Sequence, residues 1–163
     1  MAEEAVFSVQ VSLLDRLIDE DPQSASEIQW DEVEKLRIIR EGIKRDLQDL
    51  LNTRFRCVAF PPDLESLDDS LLNYGLPDFT SAGLNLAYDP DLLLSAIRRA
   101  IRIFEPRLTD VVVAGVDDTF HIDRTFRFRI EAVLLIEHRR HSLRFHSSIE
   151  SRTGQFSVGD AAE

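Results

Sequence analysis

Residues 89–116 read DPDLLLSAIRRAIRIFEPRLTDVVVAGV, and the spacing of apolar side chains changes partway along them. Up to Phe104, the residues Leu93, Ala96, Ile97, Ala100, Ile101 and Phe104 recur every three or four positions, the stripe of a helix that buries one face. Asp89 suits the N-cap and Pro90 the first helical position, so the helix starts there. A proline stops a helix and pushes the residue before it toward extended backbone, so Glu105-Pro106-Arg107 marks the corner where the chain leaves the helix. Beyond the corner the period falls to two. The β-rich run from Val111 to Val116 predicts a strand ending at the turn Asp117-Asp118.

Downstream, Phe126, Phe128, Ile130, Ala132, Leu134 and Ile136 alternate with Arg127, Arg129 and Glu131, which predicts a strand over 124–137 with one buried face. His138 to His141 reads as a turn. Leu143, Phe145, Ser147 and Ile149 alternate in a strand over 142–150, and Thr153-Gly154 leads to a short last strand through Phe156 and Val158. Upstream, Asp31 and Glu34 have capping-box spacing, and Val33, Leu36, Ile39, Ile43, Leu47 and Leu50 form the stripe of a helix about 35 Å long reaching Thr53. Arg37/Glu41 and Arg45/Asp49 stand at i,i+4 on its outer side. Pro61-Pro62, Asn73-Tyr-Gly-Leu-Pro and Gly83 make 56–88 a loop-rich connection with a short helix near Leu64 to Leu72. The pattern is α+β: long N-terminal helices packed on a C-terminal antiparallel sheet. Residues 1–30 read as an arm with a short helix that docks by Leu13, Leu14, Leu17 and Ile18, and 31–163 as a single α+β domain.

A chain of 163 residues has room for one core, and 44% hydrophobic with 30% charged residues fits a folded protein rather than a disordered one. The net charge of −11 disfavours a phosphate backbone or an anionic lipid surface as partner. Residues 1–90 carry 19 acidic and 8 basic side chains, whereas residues 91–163 carry 11 of each, so the acidity belongs to the first part of the chain. The opening Met-Ala-Glu-Glu predicts no export signal, and no apolar run approaches the roughly 20 residues of a membrane span. These features predict a cytoplasmic protein with no direct membrane insertion. Cys57 cannot form an intramolecular disulfide and reads as a small core residue.

The chemistry-bearing residues are few. Glu105 ends a helix, where a carboxylate opposes the macrodipole, so it needs a cationic partner. Arg107 can supply bidentate contacts. Two readings stand for the pair: an internal staple of the helix end, or a charged device that meets another subunit. His121, His138, His141 and His146 read as turn and sheet-surface residues, and structural zinc normally takes four ligands. No phosphate loop or nucleophile elbow occurs, so neither catalytic residues, nor metal, nor cofactors are expected. Arg98, Arg99 and Arg102 form a small basic patch suited to an acidic protein partner.

The runs LRIIREGIKRDLQDLLNTR (36–54), NYGLPD (73–78) and AIRRAIRIFEPRLTDVVV (96–113), the closing strands and SLLDRL (12–17) resemble TssE, the type VI secretion baseplate subunit grouped with the lysozyme-like phage baseplate-wedge proteins. The resemblance implies a nonenzymatic structural part of a contractile machine, with wedge proteins TssF, TssG and TssK and sheath proteins TssB and TssC as partners and no nucleic acid. The family's Glu-Pro-Arg motif falls on Glu105, Pro106 and Arg107, and its Leu-Leu-Asn-Thr-Arg segment on residues 50–54. The resemblance favours the interface reading of the corner, and it implies strand exchange through a sheet edge, with 124–137 and 142–150 as candidate strands. Two other roles compete with this one. The superfamily includes the anti-adaptor IraD, which binds one regulatory protein. A peptidoglycan hydrolase needs flanking carboxylates, but no glutamate here has an aspartate nine residues on and a threonine six beyond that, the phage lysozyme spacing.

Overall fold

The computed structural model describes residues 32–55, 65–67, 69–78, 90–116, 125–136, 139–150 and 152–160. Helix α1 spans Glu32–Asn52 and helix α2 spans Pro90–Phe104. Four strands follow: β1 at Leu108–Gly115, β2 at Thr125–Ile136, β3 at Arg139–Glu150 and β4 at Phe156–Asp160. They form one antiparallel sheet in the order β1-β2-β3-β4. The α+β class therefore holds, but α2 is a 15-residue helix in mid-chain rather than a long N-terminal one. The arm residues Leu13, Leu14, Leu17 and Ile18, the caps Asp31 and Asp89, Cys57, His121 and His138 lie outside the described residues.

The core has two layers. Ile39, Ile43, Leu47, Leu50 and Leu51 of α1 and Leu93, Ile97, Ala100 and Ile101 of α2 pack on the inner sheet face, where Phe128, Ile130, Phe145 and Phe156 are fully buried. Those strand positions alternate with exposed ones because successive side chains point to opposite faces. The helices divide the sheet between them, α1 over β4 and α2 over β1. Val33, predicted as part of the buried stripe, is 75% exposed in the first turn of α1, ahead of the first buried position, Ile39.

Several local readings change. Arg37 reaches back one turn to Glu34 at 2.7 Å, whereas the sequence paired it with Glu41 one turn ahead. Leu64 to Leu72 holds no described α-helix; its described residues include the 3₁₀ turn Glu65–Leu67, and a second 3₁₀ turn spans Leu71–Asn73, capped by the Ser70 hydroxyl accepting from the Leu72 N–H. Arg139 to His141 belongs to β3 rather than to a turn, because all three residues pair with β2 in unbroken register. The strands proposed for exchange, 124–137 and 142–150, are β2 and β3, which are interior. β2 is paired with β1 and β3, and β4 covers β3 only from Phe145 to Ile149, so the edge of β3 ahead of Phe145 has no strand beside it among the described residues.

Candidate functional site

The Glu105-Pro106-Arg107 corner joins α2 to β1. The Glu105 N–H donates to the Ile101 carbonyl at 2.9 Å, extending the last turn, and the Leu108 N–H donates to the Glu105 carbonyl at 3.1 Å, closing the bend into the strand. Pro106 sits exposed at the apex. Glu105 itself is 4% exposed, so its carboxylate must be paired. Arg107 Nε donates to Oε1 and Nη2 to Oε2, the bidentate fork that guanidinium geometry permits. Nη2 also reaches Oδ2 of Asp46, on α1. The hydrogen bond to Glu105 holds the Arg107 guanidinium above its ordinary pKa, against the opposing effect of burial. Within this chain the corner is an internal staple that ties the α2–β1 junction to α1.

Asp46 is the partner sequence reasoning missed. It lies 61 residues from Arg107 and stands among the charges of α1, where no local pattern distinguishes it from a solvated side chain. Beside the staple opens a cleft of ≈ 370 Å³ lined by Asp46, Asp49, Tyr74, Phe104 and the corner residues. The Tyr74 and Phe104 rings meet edge to face with centroids 5.2 Å apart. Burial pushes the Tyr74 phenol above its ordinary value, and the carboxylates of Asp49, Asp46 and Glu105 add to that.

Tyr74 is held there by the segment 73–78. Gly75 has φ +111, and a Cβ on it would stand 2.4 Å from the Thr53 carbonyl oxygen, so a side chain is excluded on both counts. That close approach lets the Leu76 N–H donate to Thr53 at 2.9 Å and the Phe55 N–H to Leu76 at 3.2 Å, docking the loop on the end of α1.

Residues 50–54 act at the opposite edge of the sheet. Leu50 and Leu51 are buried. The Asn52 amide pairs with β4 as a neighbouring strand would: its Nδ2 donates to the Phe156 carbonyl at 2.9 Å and its Oδ1 accepts from the Phe156 N–H at 2.8 Å. One turn earlier, Gln48 donates to the same carbonyl at 2.9 Å and accepts from the Val158 N–H at 2.8 Å. Further up the same row, Arg40 and Lys44 bind the Asp160 carboxylate at 2.9 and 2.7 Å. Arg54 donates to the Leu51 carbonyl at the end of α1 and to the Gly154 carbonyl, with its guanidinium 5.3 Å from the centre of the Phe156 ring. The β4 edge is thereby sealed by side chains of α1 and its C-terminal extension.

The β1 edge is different. The Val116 N–H donates to the Arg127 carbonyl at 3.0 Å, and register places Ala114 and Val112 in the same phase, so Val113 and Gly115 turn their main-chain groups away from the sheet. A bulge between Thr109 and Val112, with Asp110 at φ 52 and paired to Arg140, interrupts the first half of this strand. Among the described residues, the side chain that bonds to the second half is Arg98, whose Nη2 donates to the Val113 carbonyl at 3.2 Å.

Among the described residues no group of three or more His, Cys, Asp or Glu is placed to hold a metal ion, and no helix is long and apolar enough to cross a membrane. His141 is half-buried and His146 exposed, both on β3. A search of curated proteins and a search of solved structures each gave no match. A family model described as baseplate wedge protein gp25 matches residues 38–139, which run from α1 through the corner and β2 to the first residue of β3. That span takes in the staple, the Gly75 dock and β1, and it covers most of the chain. The resemblance to TssE noted in the sequence is this same domain, and the chain belongs to the family of baseplate wedge protein gp25.

Proposed function

We propose that this protein is a structural, nonenzymatic subunit of a type VI secretion baseplate that joins wedge proteins of the TssF, TssG and TssK kind to the first ring of a TssB–TssC sheath. Membership of a baseplate wedge family supports a structural role in a baseplate. The observation that carries the finer reading is the asymmetry of the sheet edges: α1 seals β4, while the second half of β1 keeps outward N–H and C=O groups. Natural proteins blunt free edges, so an open one is a template for an added strand, with main-chain hydrogen bonds giving affinity and side chains giving register. The Glu105–Arg107 staple sets where that edge begins. The exposed Pro106 and the adjoining cleft offer a neighbouring subunit a rigid contact, and Leu13, Leu14 and Leu17 supply a second contact to the wedge. The baseplate assembles in the cytoplasm, where we place this chain.

The test is sheath assembly in cells carrying a fluorescent sheath subunit. Deleting the gene should abolish sheaths and the intact gene should restore them. Gly115→Pro removes an outward N–H without touching the bonds to β2, and it should fold, accumulate normally and fail to restore them. Normal sheaths in the deletion strain would overturn the proposal. Undiminished wedge pull-down after removal of residues 1–20 would overturn the role given to the leucines.

A further inference from the structure

Helix α2 runs antiparallel to β1 and follows the edge of that strand that faces away from β2. Leu94 lies 3.8 Å from where a Gly115 Cβ would stand, and Arg98, one turn on, bonds to the Val113 carbonyl. The next position of that row is Arg102, which brings it level with the bulge. A strand laid along Val113–Gly115 would therefore send alternate side chains toward two unlike surroundings. On the outer sheet face they would meet Val112, 50% exposed, and Val116, 39% exposed. On the helix side they would meet the guanidinium group of Arg98.

Arg98 is incompletely satisfied. Its Nε is buried with no hydrogen-bond partner, although its Nη2 bonds to a main-chain oxygen. Arg98 and Arg102 pair with no carboxylate among the described residues, in a chain of net charge −11. A buried guanidinium N–H without an acceptor is unfavourable, and a carboxylate brought alongside would supply a charge-assisted bond.

We infer that the β1 edge selects an extended partner segment with apolar residues on one face and carboxylates on the other, and that Arg98 is the residue that reads those carboxylates. In the free chain Arg98 occupies the Val113 carbonyl and covers that acceptor. An incoming strand takes over the carbonyl with its own N–H and hands Arg98 an acidic side chain in exchange, so the edge opens to an acidic segment and stays guarded against a neutral or basic one. This inference rests on the strand-docking reading above and adds the chemistry of the partner.

Two short synthetic peptides, one alternating valine with glutamate and one alternating valine with lysine, titrated into the full-length protein, test it. Amide hydrogen exchange and chemical shifts at Val113 and Gly115 report docking. The glutamate peptide should protect those two amides and bind roughly tenfold or more tightly than the lysine peptide. Arg98→Met, with an unchanged melting temperature, should remove most of that preference while leaving weak edge binding. Equal affinity for both peptides, an undiminished preference in Arg98→Met, or no protection at Val113 and Gly115 would overturn the inference. If Arg98→Met melts early, Arg98→Lys replaces it, and retention of the full preference by the lysine variant would then count against a role for the guanidinium fork. The baseplate reading has its own readout: sheaths lost on gene deletion with no peptide selectivity would sink this inference alone, whereas normal sheaths without the gene would sink that reading.

Discussion

Removing the Arg107 guanidinium would strand the Glu105 carboxylate, 4% exposed, without its two N–H donors. Breaking one side of a buried pair costs about 3–5 kcal/mol, and the 20% exposure of the Arg107 side chain places this site toward the lower end. Arg107→Ala should therefore lower stability by about 3 kcal/mol in urea denaturation. Arg107→Met with Glu105→Gln should cost less than the single change, because no charge is left buried alone. If Arg107→Ala unfolds at the same urea concentration as the parent, the pair contributes to assembly and not to the fold. The internal staple is one of the two readings that the sequence allowed for the pair. The sequence showed that Glu105 needs a cation and that Arg107 can provide it, since both statements follow from helix-end electrostatics and a two-residue spacing. It could not show that Asp46 completes the group, because that contact depends on how α1 lies across the junction.

At the level of elements, the two helices and four strands were legible because each carries a period matched to its own backbone. The boundaries of α1 and α2 fall within a residue or two of the predicted ones, and β2 and β3 overlap their predicted spans closely. What periodicity does not contain is lateral order, since alternation describes the faces of a strand and says nothing of its neighbours. Gln48 and Asn52 illustrate this. On the sequence they are two polar residues one turn apart on a helix; in the fold they stand in for the missing strand beside β4. Changing both to alanine would leave the Phe156 carbonyl and the N–H groups of Phe156 and Val158 without their present partners. Each lost partner costs on the order of 1 kcal/mol, so the double variant should lose about 2 kcal/mol or more. Amide exchange at Phe156 and Val158 should accelerate ahead of that at β2. Unchanged exchange at those two amides would show that the side-chain amides do not seal the edge.

On the scale of the whole molecule, a chain of −11 keeps its two layers together partly by placing cations where carboxylates converge. The Asp160 carboxylate is held below its ordinary value of 3.8, chiefly by the hydrogen bond from Lys44 and then by the charge of Arg40, with burial opposing. Lys44 is held above 10.5 by the same bond. A depressed aspartate contributes stability that is whole above its unfolded value and is lost as pH falls through the folded one, and the raised lysine loses its contribution only in strong alkali. The protein should therefore weaken as pH falls below about 4, and Asp160→Asn should flatten part of that decline in urea midpoints measured across the acid range. Parallel curves for the two proteins would show that the clamp of α1 on β4 does not contribute to acid sensitivity. Sequence alone determined the elements, the class α+β, the corner where helix becomes strand, and the family resemblance, because all of these depend on residues near one another along the chain. The tertiary structure alone decided that Glu105 and Arg107 close on each other and on Asp46, that β2 and β3 are the middle strands, and that, among the described residues, α1 covers β4 while the second half of β1 is met by the Arg98 side chain. Those outcomes depend on which surfaces are brought together by burying one shared core, and the side chains that then meet at its margins are separated by some sixty to one hundred and twenty positions of chain.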